Sequence, residues 1–411
     1  MLTKEIFISV DELWLKGKNR PVYYKKLCRH IVHVLKKNDH KNVQIKKETE
    51  RLYLKTKREL NELDLKALSY IPGIALILPI FTFDRRETAQ DDLRVMENES
   101  LRLMQSFVEN LQNLNQKIKF RVNVKRLDKT FSIGSVEIEK KIGKILLDQF
   151  DQLDGELKKP EATLEIKIFP QYFSLSSLKI KGMGGLPLGS SGRGLVLLSG
   201  GFDSTVASYL MSRRGMNLDF VFFHAYPFVG MEVVDKIKNL SHYLNQFQMG
   251  ARLVIVPFGG IQEFLAGHIR LEYRTLLFRK YMLVLAEALM PKLAATALIT
   301  GDSLSQVSSQ TIANLALLDR SVETLILRPL VGMNKRDILD WAVKIGSHDL
   351  SMIPHDDACA LFAPEFPVTN PSKSYFKNYT QAWSEADRDQ LQTLIQKAID
   401  SAEFYSDSGT K

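Results

Sequence analysis

The sequence of 411 residues contains only two cysteines, Cys28 and Cys359. Two thiols cannot form the disulfide framework of a small secreted domain, and they lack the spacing of a zinc site. No apolar run approaches the ~20 residues of a membrane span. The first residues, MLTKEIFISVDELWLKGKNR, lack the apolar core of a secretory signal peptide. We therefore expect a cytoplasmic protein that is not inserted in a membrane.

Two common nucleotide-binding signatures are also missing, because neither the Walker pattern GxxxxGK(S/T) nor the dinucleotide pattern GxGxxG occurs. The sequence instead contains GLVLLSGGFDS at 194–204, in which Leu195–Leu198 predict a short buried strand. Ser199–Gly201 follow as a turn, and Asp203 lies at the start of a helix that ends near Gly215. Backbone N–H groups at such a helix start attract an anion of phosphate size.

The charge of the sequence is unevenly distributed. Residues 1–194 hold 36 Lys and Arg against 25 Asp and Glu, whereas residues 195–411 hold 20 against 22. A basic half joined to a nearly neutral half indicates one module that holds a polyanion and another that does chemistry on it. A basic surface that serves only solubility would give the same balance.

Hydrophobic periodicity predicts small α+β layers in the first half, the earlier of ferredoxin-like type. Cys28 lies on the apolar stripe of the first helix, which favours a core role. The run Gly182–Gly194 holds six glycines and predicts a linker. The predicted elements before that run are strands at 4–10, 43–55, 75–83, 117–126, 162–169 and 172–180, and helices at 19–37, 59–70, 92–111 and 135–150.

In the second half, strands alternate with helices, which predicts a doubly wound parallel sheet. The strands are expected at 195–198, 218–223, 252–257, 297–300 and 324–327. Ligands of such sheets bind at the carboxyl ends of the strands, so the residues that directly follow each strand are the candidates for the site.

The motif SGGFDS resembles the PP-loop, SGGxDS, of the ATP pyrophosphatases, and FRVNVKRLDKTFSIGSVEIEKKIG resembles a THUMP domain, an RNA-binding module. Together with LKGKNR, GMGGLPLG, TGDSLSQVSSQT, LRPLVGMNK and DACALFAP, these motifs are similar to those of the tRNA 4-thiouridine synthetase family over roughly residues 5–370. The resemblance implies an ATP-dependent tRNA sulfurtransferase that adenylates O4 of the uridine at position 8 and replaces that oxygen with sulfur. It also implies a possible role in sulfur transfer for thiamine thiazole synthesis.

The resemblance further implies an adenine nucleotide alpha hydrolase-like α/β domain with a PP-loop, preceded by ferredoxin-like and THUMP domains. We predict the ferredoxin-like domain at 1–75, THUMP at 76–181, the glycine-rich linker at 182–194, the PP-loop domain at 195–371 and a helical tail at 372–411. The family resemblance also predicts a homodimer in which the THUMP domain of one subunit presents tRNA to the other.

Site residues follow from the resemblance, position by position. Asp203 is expected to hold Mg²⁺ or to orient the leaving pyrophosphate, although a plain N-cap would also explain it. Lys335 is expected to neutralise phosphate charge, and His224 is kept as a supporting contact only. The predicted ATP contacts are Leu197, Leu198, Ser199, Gly200, Gly201, Ser204, Phe222, Phe223, Arg279, Gly301 and Gln310.

The strand at 117–126 has a mostly basic polar face, which the resemblance assigns to tRNA phosphates. A solvated strand face is the alternative. The candidates are Lys117, Lys119, Arg121, Lys125, Arg126 and Lys129.

Cys359 lies between Pro354 and Pro364, which predicts a loop rather than a core position. The resemblance implies that its sulfur attacks or resolves at the activated uridine; a structural cysteine is the alternative. Long forms of the family carry a rhodanese-like domain, whereas this sequence ends about 40 residues after the loop that contains Cys359. We therefore expect the sulfur to arrive on Cys359, on a cysteine desulfurase or another donor protein, or as sulfide.

Two rival functions share part of this evidence. Another PP-loop ligase that modifies tRNA would not need Cys359, and a non-catalytic tRNA-binding protein would not need Asp203.

Overall fold

The structure, a computed structural model, describes residues 3–48, 51–109, 117–177, 179–354, 362–406 and 409–410. The chain divides into two compact units, residues 1–185 and residues 186–411. No helix within the described residues is long and apolar enough to span a membrane.

The first unit is built on one nine-stranded sheet. Its strands are β1 (Thr3–Val10), β2 (Val43–Glu48), β3 (Arg51–Leu60), β4 (Ile74–Asp84), β5 (Ile118–Arg126), β6 (Leu153–Gly155), β7 (Ala162–Ile168), β8 (Tyr172–Ser176) and β9 (Ile180–Lys181). Its helices are α1 (Arg20–Lys37), α2 (Glu62–Ser69), α3 (Ala89–Glu109) and α4 (Ser135–Gln149). A 3₁₀ turn, Leu13–Asn19, precedes α1.

Strand β4 connects the two halves of this sheet, one on the side of β1 and the other on the side of β8. The strand order is β2-β3-β1-β4-β8-β7-β5-β6, and β9 also pairs with β4. Residues 74–80 of β4 pair with β1, and residues 81–84 pair with β8. One strand therefore serves both predicted domains, and the predicted limit between residues 75 and 76 falls at its beginning. The domain limits themselves stay predictions.

Two apolar clusters fill the helix-covered side of this sheet. Leu27, Ile31 and Leu35 of α1 are fully buried in one cluster. Ile138 and Ile142 of α4 are fully buried in the other. Cys28 packs half-buried against the first cluster, and burial raises the pKa of its thiol. A protonated, packed thiol agrees with the core role predicted from the helical stripe.

The second unit contains a seven-stranded sheet in the order β14-β13-β10-β11-β12-β15-β16. Its strands are β10 (Arg193–Leu197), β11 (Asn217–His224), β12 (Arg252–Pro257), β13 (Ala297–Ile299), β14 (Ile326–Leu327), β15 (Glu403–Ser406) and β16 (Gly409–Thr410). Its helices are α5 (Phe202–Arg213), α6 (Glu232–Leu244), α7 (Gly259–His268), α8 (Arg274–Leu293), α9 (Ile312–Asp319), α10 (Lys335–Ile345) and α11 (His348–Met352), followed by Lys373–Asn378 and Glu385–Asp400. The five strands β10–β14 are parallel, as the alternation of strands and helices predicted.

The glycine-rich run at 182–194 is not a solvated linker. Met183, Leu186 and Leu188 are buried, and the last two residues of the run already belong to β10. A Cβ atom at Gly182 would lie 2.1 Å from the carbonyl oxygen of Ile74. This glycine therefore permits close backbone packing, which a count of glycines cannot distinguish from flexibility.

The predicted tail at 372–411 is an integral part of the second unit. Leu391, Ile395 and Ala398 of the helix Glu385–Asp400 lie in the main apolar cluster. Strand β15 then pairs antiparallel with β12 and extends the sheet. The segment was predicted as a tail because polar and charged residues separate the apolar positions of this helix.

Because Leu391 is 3% exposed in this cluster, we expect Leu391→Ala to lower the free energy of unfolding by about 2–5 kcal/mol. Chemical denaturation followed by circular dichroism measures this change. The exposed neighbour Gln392 supplies the control, since Gln392→Ala leaves the cluster intact. Equal stability of the two variants would show that the C-terminal helix does not contribute to the core.

Candidate active site

The site lies where the order of the parallel strands reverses direction along the chain. Strand β10 lies between β11, which follows it in sequence, and β13, which comes about 100 residues later. The carboxyl ends of β10 and β13 lie at the same edge of the sheet, because the strands are parallel. The connections that follow these two strands turn toward opposite faces of the sheet, which opens a crevice between the strand ends. The segments that follow these two strands are SGGFDS and TGDSLSQ.

The side chain of Ser204 connects the two ends of the SGGFDS loop by hydrogen bonds. The Ser204 hydroxyl accepts from the backbone N–H of Ser199 at 3.0 Å and lies 3.3 Å from the carbonyl oxygen of Gly201. Gly201 is the N-cap of α5, has an extended backbone and contributes no side-chain hydrogen bond to the helix. The first N–H groups of α5 are thus left to a ligand, and the helix dipole favours an anion there.

Gly301, which follows β13, touches the backbone of this loop. A Cβ atom at Gly301 would lie 2.9 Å from the carbonyl carbon of Asp203 and 2.9 Å from the nitrogen of Ser204. Only glycine allows the two strand-end segments to approach so closely. The residue predicted from the resemblance as an ATP contact is therefore also a spacer that sets the width of the crevice.

Asp203 and Lys335, predicted separately, form an ion pair. The Lys335 ammonium lies 3.2 Å and 3.1 Å from the two carboxylate oxygens of Asp203 and 4.1 Å from the centre of the Phe202 ring. Gln306 donates to the same carboxylate at 3.1 Å. Lys335 is the first residue of α10, whose N-cap Asn334 accepts from Asp337. The pair places a cation and a carboxylate at the start of α5, where phosphate charge would be bound.

A second carboxylate, Asp302, is buried behind the crevice with a side chain that is 6% exposed. Arg279 donates to Oδ1 at 2.5 Å, and Arg328 donates to Oδ2 at 3.2 Å. Thr300 donates to Oδ2 at 2.7 Å. Burial alone would raise the pKa of Asp302, but the charge of Arg279, the Thr300 hydrogen bond and Arg328 outweigh burial and hold the pKa below its usual range. Asp302 is therefore a carboxylate at neutral pH.

Arg279 and Gln310 are tied to this buried carboxylate. Arg279 also donates to the Ser309 carbonyl at 2.9 Å, and Gln310 lies 3.4 Å from Asp302 Oδ1. Sequence reasoning missed Asp302, Gln306 and Arg328. The available signal was position, because Asp302 comes three residues after the end of β13, and Asp203 comes six residues after the end of β10.

The predicted adenosine contacts differ in where their side chains lie. Leu198 is buried, and Leu197 and Phe222 are half-buried at their strand ends. Phe223 points to the opposite face and packs on Phe258 in the core, so only its backbone is available to a nucleotide. His224 lies 3.1 Å from the carbonyl oxygens of Val229 and Gly230, which fits the supporting role.

The predicted RNA contacts lie in the first unit, on and beside β5. Lys117, Lys119, Lys125 and Lys129 are exposed. Arg126 instead donates to the carbonyl oxygens of Phe131 and Ile133 at 2.8 Å and 3.2 Å, and Arg121 donates to Leu157 at 3.1 Å. The four lysine side chains are thus exposed where they could contact phosphates. The two arginines instead form hydrogen bonds that hold neighbouring loops.

Cys359 lies outside the described residues, which resume at Phe362. On the N-terminal side, the buried Lys236 ammonium donates to the carbonyl oxygens of Ser351 and Ile353 at 2.8 Å and 2.6 Å. Burial lowers the pKa of Lys236. On the other side, Phe362 packs edge-on against Phe228 at 5.0 Å. Both flanks of the cysteine-containing segment are thus anchored in the second unit.

Three family models match the chain. "Thiamine biosynthesis protein (ThiI)" matches residues 189–384, "ThiI ferredoxin-like domain" matches 5–77 and "THUMP domain" matches 92–178. The fold and the strand-end site therefore define a PP-loop protein with ferredoxin-like and THUMP domains, as predicted from the sequence.

Curated relatives extend the match over the whole chain. A probable tRNA sulfurtransferase of Lysinibacillus sphaericus is 32% identical and covers 98% of this chain and 96% of its own length. Another from Thermoanaerobacter pseudethanolicus is 34% identical, covering 89% and 92%. The chain belongs to the tRNA sulfurtransferase family.

Solved structures agree with this assignment. A 4-thiouridine synthetase in complex with RNA and bound ATP matches with a TM-score of 0.78 and 27% identity, covering 98% of this chain and 99% of that one. A Pyrococcus horikoshii protein matches with a TM-score of 0.56 and 19% identity over 84% and 99% of the two chains, which shows the shared fold.

We expect Gly301→Ala to weaken ATP binding strongly, because the new methyl group fits only if the segment at residue 301 and the first turn of α5 move apart. Isothermal titration with ATP measures the loss. Gly260→Ala is the matched control, since a Cβ there meets its nearest atom, on the Leu394 side chain, at an ordinary 3.6 Å. ATP affinity that survives in the Gly301 variant would contradict the spacer role.

Proposed function

We propose that the protein is an ATP-dependent tRNA sulfurtransferase that converts the uridine at position 8 of tRNA to 4-thiouridine. The observation that carries the proposal is the Asp203–Lys335 pair, with Nζ 3.1 Å from Oδ2, at the start of α5 beside the SGGFDS loop. The family supports the thiolation of tRNA. The solved 4-thiouridine synthetase with RNA and ATP supports both substrates.

ATP would bind with its pyrophosphate against residues 199–204 and the start of α5. The adenosine would lie toward Leu197, Leu198 and the exposed part of Phe222. Loop 301–310, fastened by Arg279, would close the other side. Helix N–H groups, the Lys335 ammonium and the arginines together offset the charge of a triphosphate.

Mg²⁺ fits this donor set. Asp203 offers one carboxylate beside the phosphate loop, and the described residues hold no group of three or more His, Cys, Asp or Glu that could bind a metal by themselves. Mg²⁺ in nucleotide sites uses one or two carboxylates together with phosphate oxygens and water. When bound, it would neutralise phosphate charge, and Asp203 would hold it.

The reaction has two displacements. Uridine O4 attacks the α-phosphorus, the bond from that phosphorus to the pyrophosphate oxygen breaks, and pyrophosphate leaves. Lys335 stabilises the charge that develops on the phosphates. A sulfur nucleophile then adds to C4, and the C4–O4 bond breaks as AMP leaves. Adenylation is needed because the oxygen of uridine is otherwise a poor leaving group.

Cys359 is the proposed sulfur residue, as a persulfide carrier or as a thiol that resolves an intermediate. When a persulfide is the nucleophile, its terminal sulfur bonds to C4, and a second thiol then attacks the carrier sulfur, so that the S–S bond breaks, 4-thiouridine is released and the two cysteines form a disulfide. The donor would be a cysteine desulfurase, another sulfurtransferase or sulfide. We further propose a cytoplasmic homodimer, and a possible contribution of sulfur to thiamine thiazole synthesis.

We expect Asp203→Ala to lower thiolation of an unmodified tRNA transcript by a factor of about 10² or more, because the carboxylate that would hold Mg²⁺ beside the phosphates and that positions Lys335 is lost. The near-ultraviolet absorbance of 4-thiouridine measures the product with ATP, Mg²⁺ and sulfide. Asp340→Ala, which removes an exposed carboxylate from α10, is the control. Thiolation at the wild-type level in the Asp203 variant would refute the proposed site.

Cys359→Ser is expected to lose thiolation when a desulfurase supplies the sulfur, and Cys28→Ser is expected to keep it because Cys28 packs in the other unit. Wild-type protein that releases AMP without forming 4-thiouridine from either donor would identify another PP-loop ligase. Binding of tRNA without any ATP cleavage would identify a non-catalytic tRNA-binding protein.

For RNA binding, we expect Lys125→Ala and Lys129→Ala each to weaken tRNA binding and to reduce the salt dependence of log K by about one unit per lost phosphate contact. Filter binding over a salt series measures both effects. Lys144→Ala removes an exposed charge from α4 and controls for net charge. Arg126→Ala is instead expected to lower the free energy of unfolding, because the carbonyl groups of Phe131 and Ile133 lose their donor. If the slope of log K against log salt concentration is unchanged in both the Lys125 and the Lys129 variant, these lysines do not contact RNA phosphates.

A further inference from the structure

The buried carboxylate Asp302 gathers donors from four separate parts of the second unit. Thr300 precedes it at the end of β13, Arg279 comes from α8, Arg328 follows β14, and Gln310 lies in the 3₁₀ turn Ser308–Gln310. Among the described residues, Arg328 has a second acidic partner, Asp319, whose side chain is 51% exposed and so lies outside the buried part of the cluster. Asp302 is thus the central acceptor of the cluster.

The cluster has more positive than negative charge in its buried part. Two guanidinium groups face one carboxylate, and their side chains are only 18% and 11% exposed. A guanidinium offers five N–H donors in a fixed plane, so the atoms engaged by a carboxylate determine where the remaining donors point. Asp302 therefore orients both arginines from the buried side, while the exposed Asp319 accepts a further hydrogen bond from Arg328 at 2.6 Å.

The loop beside Asp302 also contains buried polar atoms that lack a partner. Within the described residues, Gln306 Oε1, Gln310 Oε1 and Arg328 Nη2 are buried without a hydrogen bond. Buried polar atoms of native proteins are rarely left in this condition. Gln306 also contacts Asp203, which connects this loop to the phosphate loop. These are two acceptors and one donor that a polar ligand bound beside them would satisfy.

We propose that Asp302 is the positioning residue of the nucleotide site: it holds Arg279, Arg328 and Gln310 in the orientation that binds ATP. This inference rests on the proposed function, since it assumes that ATP is the ligand. Asp302 does not touch the reacting atoms, so its removal weakens ATP binding more than it slows the chemical step once ATP is bound.

Asp302→Asn tests the inference because it keeps the shape of the side chain and removes its charge. We expect the Kd for a non-hydrolysable ATP analogue to rise about tenfold, as expected for the loss of about 1.4 kcal/mol from charged hydrogen bonds. The KM for ATP should rise in parallel, while kcat at saturating ATP and the KM for tRNA change little. Asp319→Asn removes the exposed partner of the same Arg328 and should leave the Kd unchanged.

A double-mutant cycle separates positioning from a general structural effect. If Asp302 acts through Arg279, the variant with both Asp302→Asn and Arg279→Lys binds the analogue no more weakly than Arg279→Lys alone. Additive losses, or an equal rise in the KM for tRNA, would overturn the inference. If thermal unfolding shows that Asp302→Asn is not folded at the assay temperature, Asp302→Glu keeps the charge and displaces it, and an unchanged Kd in that variant overturns the inference.

The proposed function has a separate measurement. Wild-type protein that binds the analogue but forms no 4-thiouridine contradicts the proposed function and leaves the positioning role intact. An Asp302→Asn variant with the wild-type Kd contradicts the positioning role and leaves the proposed function intact.

Discussion

The site depends on one close contact, between the backbone at Gly301 and the first turn of α5. A Cβ atom at residue 301 would approach Asp203 and Ser204 to 2.9 Å, so the two strand-end segments meet without any side chain between them. Because β10 and β13 are neighbours in the sheet, this contact fixes the phosphate loop against the loop that carries Asp302 and Gln306. The distances between the acidic, basic and amide groups of the site are therefore set by this backbone contact and not by flexible side chains.

The local parts of this arrangement could be predicted from the sequence. Leu195–Leu198 are apolar and SGGFDS follows, so the strand, the turn and the start of the helix were evident from pattern and turn chemistry alone. The pairing of Asp203 with Lys335 was not, because these residues lie 132 positions apart and a single sequence contains no contact information. Asp302 was missed for the same reason, because Arg279 and Arg328 are distant from it in the sequence and no local pattern indicates that both contact it.

Two errors came from composition. The six glycines of 182–194 predict a linker, whereas the structure uses Gly182 to bring its backbone against Ile74. The polar composition of 372–411 predicts a tail, although Leu391, Ile395 and Ala398 are buried in the core and Leu394 and Ile399 pack against it. In both cases the average property of a segment hid the few positions that decide its packing.

The buried charges explain why such a site is costly to build and specific once built. A carboxylate removed from water is stable only when donors satisfy it, and Asp302 obtains them from residues spread between Arg279 and Arg328. Replacing the cluster with apolar side chains would stabilise a sheet of this kind equally well or better. The unit nevertheless keeps more guanidinium charge than Asp302 neutralises, beside a helix start that already favours anions. Asp319 offsets part of the charge of Arg328 from an exposed position, and the buried part of the cluster, together with the helix start, still favours an anionic ligand such as the proposed polyphosphate.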